Sequence, residues 1–400
     1  MPNHAARTPA NDSPLGPLTL LTLTLATFFA ASSVPTPIYR LYQQAWGFSS
    51  GMLTLVFGIY ALSLLLALLT TGPLSDYLGR RPVILAALAL EMAGMGIFVG
   101  ASGVGWLIAA RVVQGFATGM AASVLGAATL DVDRHRGPLL NGVAPLVGMA
   151  VGALGASMLV QYAPAPLRLV YLLLLAIFAL QAVGVFALGE TVTPRPGALA
   201  AMRPRIVVPR AARGALWRVA PVNVAVWALG GFYLSLGPTL ARAATHSTAV
   251  TTGGWVVFTL TVAGVVAILL LRGMNATKML FTGSLLLAAG VLVTLVGVHA
   301  SQTSVFFIGT TIAGTGFGVA FQGALRSLLP LAQPHERAGL LAAFYVLSYL
   351  AFSIPAIVVG VLVPKVGLRM ATDVYGTALV VLALLTALGI ALPRRRATSS

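Results

Sequence analysis

The chain has 400 residues, 58% of them hydrophobic and 8% charged, with a formal net charge of +16 and no cysteine. A soluble domain carries about a quarter charged residues, so this composition excludes a water-soluble globule and leaves lipid as the solvent for most of the chain. Disulfides and thiolate metal sites are excluded too, and the basic residues lie in short loops rather than along one face, which argues against nucleic acid as a partner.

In chain order, continuous apolar runs centre on 18–39, 52–71, 82–101, 104–130, 138–160, 166–189, 217–240, 252–271, 279–298, 303–327, 338–362 and 371–392. Each is long enough to cross a hydrocarbon core of about 30 Å as a helix. They are unbroken and rich in Ala, Leu and Gly, unlike the alternating strands of an outer-membrane barrel. The pattern predicts an all-α integral membrane protein with twelve spans. The first run is expected to stay as a span and not to be removed as a signal peptide, because residues 1–16 hold a single arginine.

The loops are polarised. The N-terminus and the even-numbered loops hold 18 basic residues, among them Arg7, Arg80, Arg81, Arg134, Arg136 and Arg394 to Arg396, whereas the other side holds 5. Positive-inside logic puts both termini in the cytoplasm of a plasma (inner) membrane protein. The longest polar connection runs from Thr191 to Arg218, with Pro194, Pro196, Pro204, Pro209 and six arginines. Prolines argue against a continuous helix there. It is expected to be a linker whose arginines rest on anionic head groups. It divides the chain into 1–190 and 219–400, two six-helix halves as in duplicated transporters. GPLSDYLGRRPV after span two is echoed by LRGMNATKML after span eight, without the aspartate and the paired arginines.

Ionisable residues inside spans are costly and need a reason. Arg111 lies in span four. Glu91 lies near the middle of span three, and reads either as a proton carrier or as a neutral, hydrogen-bonded structural carboxyl. Asp131, Asp133, Arg134, His135 and Arg136 form a loop cluster that reads as structural.

Gly72, Leu74, Asp76, Gly79, Arg80 and Arg81 fit G-x-L-x-D-(basic)-x-G-R-(basic), which resembles the loop signature of the major facilitator superfamily; Tyr77 stands where that family usually has a basic residue. RVVQGFATGM, with Arg111, Gln114, Gly115 and Gly119, resembles a span-four motif of the drug-efflux-like branch. VGMAVGALGASM resembles its glycine-rich antiporter motif, keeping Gly148 and Gly152 but with Ala153 in place of proline. GET at 189–191 resembles a Glu-Thr terminus of span six.

The resemblance implies the twelve-helix major facilitator fold. It implies a latch in which Asp76 and Arg80, flanked by Gly72, Gly79 and Arg81, close the cytoplasmic side. A cap by Asp76 on the start of span eleven, at Ala338 to Leu340, would use the attraction of a helix N-terminus for an anion. It gives Arg111 a coupling role, with Glu91 as the other candidate, and gives Gly115, Gly148 and Gly152 hinge or packing roles. It also implies a substrate cavity lined by Phe28, Ser32, Gln114, Asn223, Trp227, Phe232, Tyr233, Phe317 and Gln322.

Soluble-enzyme motifs such as H-E-x-x-H, a P-loop or G-x-S-x-G are absent. No metal or organic cofactor is expected; a proton gradient is the expected energy source. The reading is a secondary active, proton-coupled exporter of small hydrophobic or amphiphilic molecules, working as a monomer with a small-molecule substrate in the bilayer. The alternatives are uptake or exchange of a small organic solute, and a receptor or scaffold that has lost transport.

Overall fold

In the computed structural model, residues 15–204, 206–333 and 336–392 are described. Arg7, Arg205 and Arg394 to Arg396, which carry part of the predicted orientation, lie outside them. Every regular element among the described residues is helical, and twelve helices are long and apolar enough to cross a membrane. A helix satisfies its backbone within one segment, which lipid demands of any spanning chain.

Spans one to six are Leu15–Ser33, Ser50–Thr71, Arg80–Val99, Val104–Val132, Gly137–Tyr162 and Leu169–Phe186. Spans seven to twelve are Arg210–Ser235, Thr251–Leu271, Ala276–Ala300, Thr303–Leu328, Arg337–Val366 and Leu368–Ala391. Local chemistry sets several ends. The Ser49 side chain accepts from the Met52 N–H, and Asn275 accepts from the Lys278 N–H, each capping a helix start. Gly47 ends a helix with φ 68°, where a side chain would be strained.

Two predicted spans are broken. The run at 18–39 stops at Ser33, and a second helix, Pro35–Trp46, continues from it; the run at 217–240 stops at Ser235, and Gly237–Thr245 follows. Proline near the first position of each extension helix explains the breaks, because it has no N–H to donate to the preceding turn. Span seven also starts earlier than the sequence suggests, at Arg210. The predicted linker therefore keeps only a one-turn helix, Ala198–Ala201, before the spanning helix begins.

The face bearing the linker is tied to the loop after span two, where the Arg195 N–H donates to the Tyr77 carbonyl. The larger hydrophobic cluster draws most of its buried residues from helices before the linker, and a second draws its own from helices after it. Glycines let helices approach within each set. A Cβ on Gly152 would stand 2.6 Å from the Ala30 Cα, so span five rests directly on span one there. Leu180, Trp217 and Leu270 lie exposed on the outside of the bundle, as a lipid-facing surface requires.

The two sets of helices meet along spans two and eleven and along spans five and eight, and several of these contacts lie toward the face opposite the linker, here the far face. Gly51 packs on Val361, and Gly58 on Ile357 and Ser353, joining spans two and eleven. The Thr36 hydroxyl donates to the Leu234 carbonyl at 2.9 Å, and the Val250 N–H donates to Gln161 at 3.0 Å. Toward the linker face the helices part around a cavity of about 530 Å³.

Candidate functional site

A polar chain runs through the apolar interior of spans one, three and four. Arg111 is 1% exposed. Its Nη1 donates to the Ser32 carbonyl at 3.0 Å and to Gln114 Oε1 at 2.7 Å. Gln114 Nε2 donates to the Ala31 carbonyl at 3.1 Å and to Glu91 Oε1 at 3.2 Å. The break in span one makes this possible. Pro35 has no N–H for the Ala31 carbonyl four residues back, and that carbonyl takes the Gln114 amide instead.

The Arg111 guanidinium lies 4.2 Å from the centre of the Tyr60 ring, which stabilises a desolvated cation. Arg111 Nε and Glu91 Oε2 have no hydrogen-bond partner among the described residues. Acid and base are therefore joined through an amide. Such a site can hold a proton and change its pairing when that proton leaves.

A second cluster occupies the loop after span two. Arg80 pairs with Asp76 through Nη1 and with Asp131 through Nε at 2.8 Å, and donates to the Ser75 hydroxyl at 2.7 Å. The Glu190 carboxylate accepts the N–H groups of Arg80 and Arg81 at 2.8 and 3.0 Å, and those of Thr191 and Val192. Partial burial pushes the Glu190 carboxyl up, and these backbone donors outweigh it and hold the group below its ordinary value. Gly79, with φ 100°, lets the chain turn into span three at a point where a Cβ would meet that carboxylate. Gly72 is half-buried, where a Cβ would press on the Leu68 carbonyl; the Arg81 guanidinium lies over the Phe186 ring.

The expected cap of Asp76 on span eleven would close the side on which the cavity here opens, and it is not made in this arrangement. An acid does sit on a helix N-terminus, but it is Glu190 on span three. Asp76 stays with Arg80 and is 48% exposed, and the start of span eleven packs against Val207 of the linker, beside Gly339. The turn at Pro73 to Leu78 folds Asp76 back on its own loop.

The cavity is bounded by Pro138, Leu139, Gln322, Leu325, Leu341 and Tyr345, with His135, Arg272 and Arg326 as its ionisable residues. No carboxylate lines it among the described residues. From its wall an aromatic cluster runs inward. Trp227 lies 6.4 Å from Tyr345, 4.7 Å from Tyr349 and 5.8 Å from Phe321, ring to ring, and its Nε1 has no partner among the described residues. Tyr349 shares a hydrophobic cluster with Tyr60, which carries Arg111. The aromatic cluster and the apolar cluster that adjoins it thus lie between the cavity and the buried polar chain.

The predicted cavity residues fall into three groups. Gln322 lines the cavity, and Trp227 and Phe317 are half-buried near it, Phe317 against the position of Gly230. Ser32 and Gln114 belong to the polar chain, and Asn223 ties span seven to span eleven through Ser348 at 2.9 Å. Phe28, Phe232 and Tyr233 point elsewhere. Phe28 packs on Phe178 of span six, Phe232 stacks on Tyr375 of span twelve, and the Tyr233 hydroxyl meets Thr310. Helical rotation explains this. Gly231 faces the Phe352 backbone of span eleven, so the next two residues, each turned by about 100°, face spans twelve and ten. Gly115 packs against the Tyr60 carbonyl, and Gly148 against Ala26.

Sequence reading missed Tyr60, Tyr345, Tyr349, Arg272 and Arg326. Aromatic residues in apolar runs carry no signal that separates core from cavity. Glu190 was marked by the Glu-Thr terminus at 189–191, but not the N–H groups of Arg80 and Arg81 that it accepts.

Twelve spanning helices thus surround a cavity that opens toward one face, with a buried, charged polar chain beside it. The chain belongs to the Major Facilitator Superfamily, whose family model matches residues 21–272. Over 147 residues it is 33% identical to multidrug resistance protein D of Escherichia coli, a match that covers 34% of this chain and 37% of that relative's length. Its fold is similar to that of the human organic anion transporter MFSD10, with TM-score 0.68, 17% identity and coverage of 95% of this chain and 100% of that one. It is also similar to a point mutant of the nucleoside transporter NupG, with TM-score 0.71, 13% identity and coverage of 94% and 100%.

Proposed function

We propose that this chain is a proton-coupled exporter of small hydrophobic or amphiphilic molecules, captured with its cavity open to the linker face. In this reading the linker face is cytoplasmic and the membrane is the plasma (inner) membrane, in keeping with the excess of arginine on that side. The observation that carries the reading is the aromatic cluster of Tyr345, Trp227 and Tyr349, which leads from the cavity wall into the apolar cluster that holds Tyr60 beneath Arg111. An apolar wall with a few polar groups suits an amphiphile. A cation seated on the Tyr60 ring lets the cluster sense the state of the Glu91–Gln114–Arg111 chain.

Arg111 and Glu91 are the coupling pair, and Glu91 holds the proton. The relative named for multidrug resistance supports export, although its match covers little more than a third of either chain. Everted membrane vesicles carrying the protein test the reading. A proton gradient imposed inside-acid should drive a fluorescent amphiphile into them, and collapse of the gradient should stop it. Accumulation only under the opposite gradient would favour uptake, and no response to either gradient would refute coupling.

A further inference from the structure

Two arginines stand against the charge asymmetry of the chain. Arg40 lies on the first extension helix and Arg242 on the second, both at the far face. Arg242 is only 7% exposed, and its Nε has no hydrogen-bond partner among the described residues. Arg40 is exposed. Thr36 and Arg40 are one turn apart on the same side of their helix. The Thr36 hydroxyl bonds the Leu234 carbonyl, which sets Arg40 beside the joint where the second extension begins. Burial first, and then the nearby Arg40 charge, hold the Arg242 guanidinium below its ordinary value.

No acid of the described chain answers these charges. Asp76 and Asp131 are paired with Arg80, Asp133 with Arg136, and Asp373 with His299. Glu190 and Glu336 accept backbone N–H groups, and Glu91 accepts from Gln114. Asp12 lies outside the described residues. A buried guanidinium without a counter-charge is costly. Two like charges, one from each half, also repel across the closed far face.

We propose that Arg40 and Arg242 form a binding site for a phosphate group, free or on a lipid, which bridges the two halves and holds the far face shut. Two cations call for more than one negative charge, and guanidinium forks match phosphate oxygens. The site stands on the far-face geometry alone and does not depend on the direction of transport or on its coupling.

The test uses the full chain in phosphatidylcholine nanodiscs. The chain has no cysteine, so Gln44→Cys and Thr248→Cys, both at exposed far-face positions, take spin labels without background. Inorganic phosphate is titrated against chloride at matched ionic strength, which removes general screening. Phosphate should shift the label distances toward the short, closed population. Arg242→Gln and Arg40→Gln should each weaken that response by about tenfold or more, the value of a charge-assisted hydrogen bond. A second arm uses discs containing phosphatidic acid, whose phosphomonoester can carry two charges as inorganic phosphate does, without added phosphate. A closed population there that both variants lose assigns the site to a lipid head group, whereas a response confined to added phosphate assigns it to a soluble anion. If neither phosphate nor anionic lipid moves the distances, or if the variants respond as the parent does, the proposal fails. Should Arg242→Gln not fold, Arg40→Gln, at an exposed position, makes the same comparison.

Discussion

Replacing Arg111 by alanine separates coupling from stability. The substitution removes two charge-assisted hydrogen bonds, to the Ser32 carbonyl and to Gln114, worth about 1.5–3 kcal/mol each. It also removes the contact with the Tyr60 ring, worth about 0.5–2 kcal/mol. Against this, it takes a cation out of the apolar interior and relieves a desolvation cost of several kcal/mol. The two sides nearly offset, so Arg111→Ala should fold and melt within a few degrees of the parent. Gln114, however, loses the partner that orients its amide toward Glu91. A loss of about 3 kcal/mol in the coupled step is more than a hundredfold in rate. Gradient-driven flux in everted vesicles should therefore fall to background at matched protein level. Arg111→Lys keeps the charge but not the planar fork, and should retain a partial rate. Unchanged flux in Arg111→Ala would refute the assignment, and so would a lysine variant as inactive as the alanine one.

Glu91→Gln should abolish gradient-driven transport while substrate binding, measured by quenching of Trp227 fluorescence, persists; full transport by this variant would return Glu91 to a structural role. Gly152→Leu should lower the melting temperature, because its Cβ would stand 2.6 Å from the Ala30 Cα and overpacking costs about 1–3 kcal/mol or more; an unchanged melting curve would show that spans one and five separate freely. Asp131→Asn should slow turnover more than Asp76→Asn, since Asp131 is the less exposed partner of Arg80, at 33% against 48%; the reverse order in a transport assay would refute this ranking. The Glu190 carboxyl titrates below its unfolded value of about 4.3, so its contribution is present above that pH and is lost as pH falls through the folded value. Glu190→Gln should accordingly melt lower than the parent at pH 7, with the gap closing toward pH 3; a gap independent of pH would show that the charge is not what caps span three.

The twelve spans were legible from apolar length alone, because lipid leaves a backbone little choice but to form a helix. The loop signature was legible too, since Gly79, Asp76 and Arg80 sit close in sequence and interact locally. Partners across long separations were not. Glu190 lies 110 positions from Arg80, Gln114 lies 23 from Glu91, and Ser32 lies 79 from Arg111. Helices of nearly uniform apolarity give no period from which to read an inward face, so Phe28, Phe232 and Tyr233 looked like cavity residues and turned out to pack between helices. Pro35 shows where the two levels meet. Its missing N–H is a property of the sequence, but only the packing of span four beside it decided that the freed Ala31 carbonyl would hold Gln114 and, through it, fix the geometry between Arg111 and Glu91.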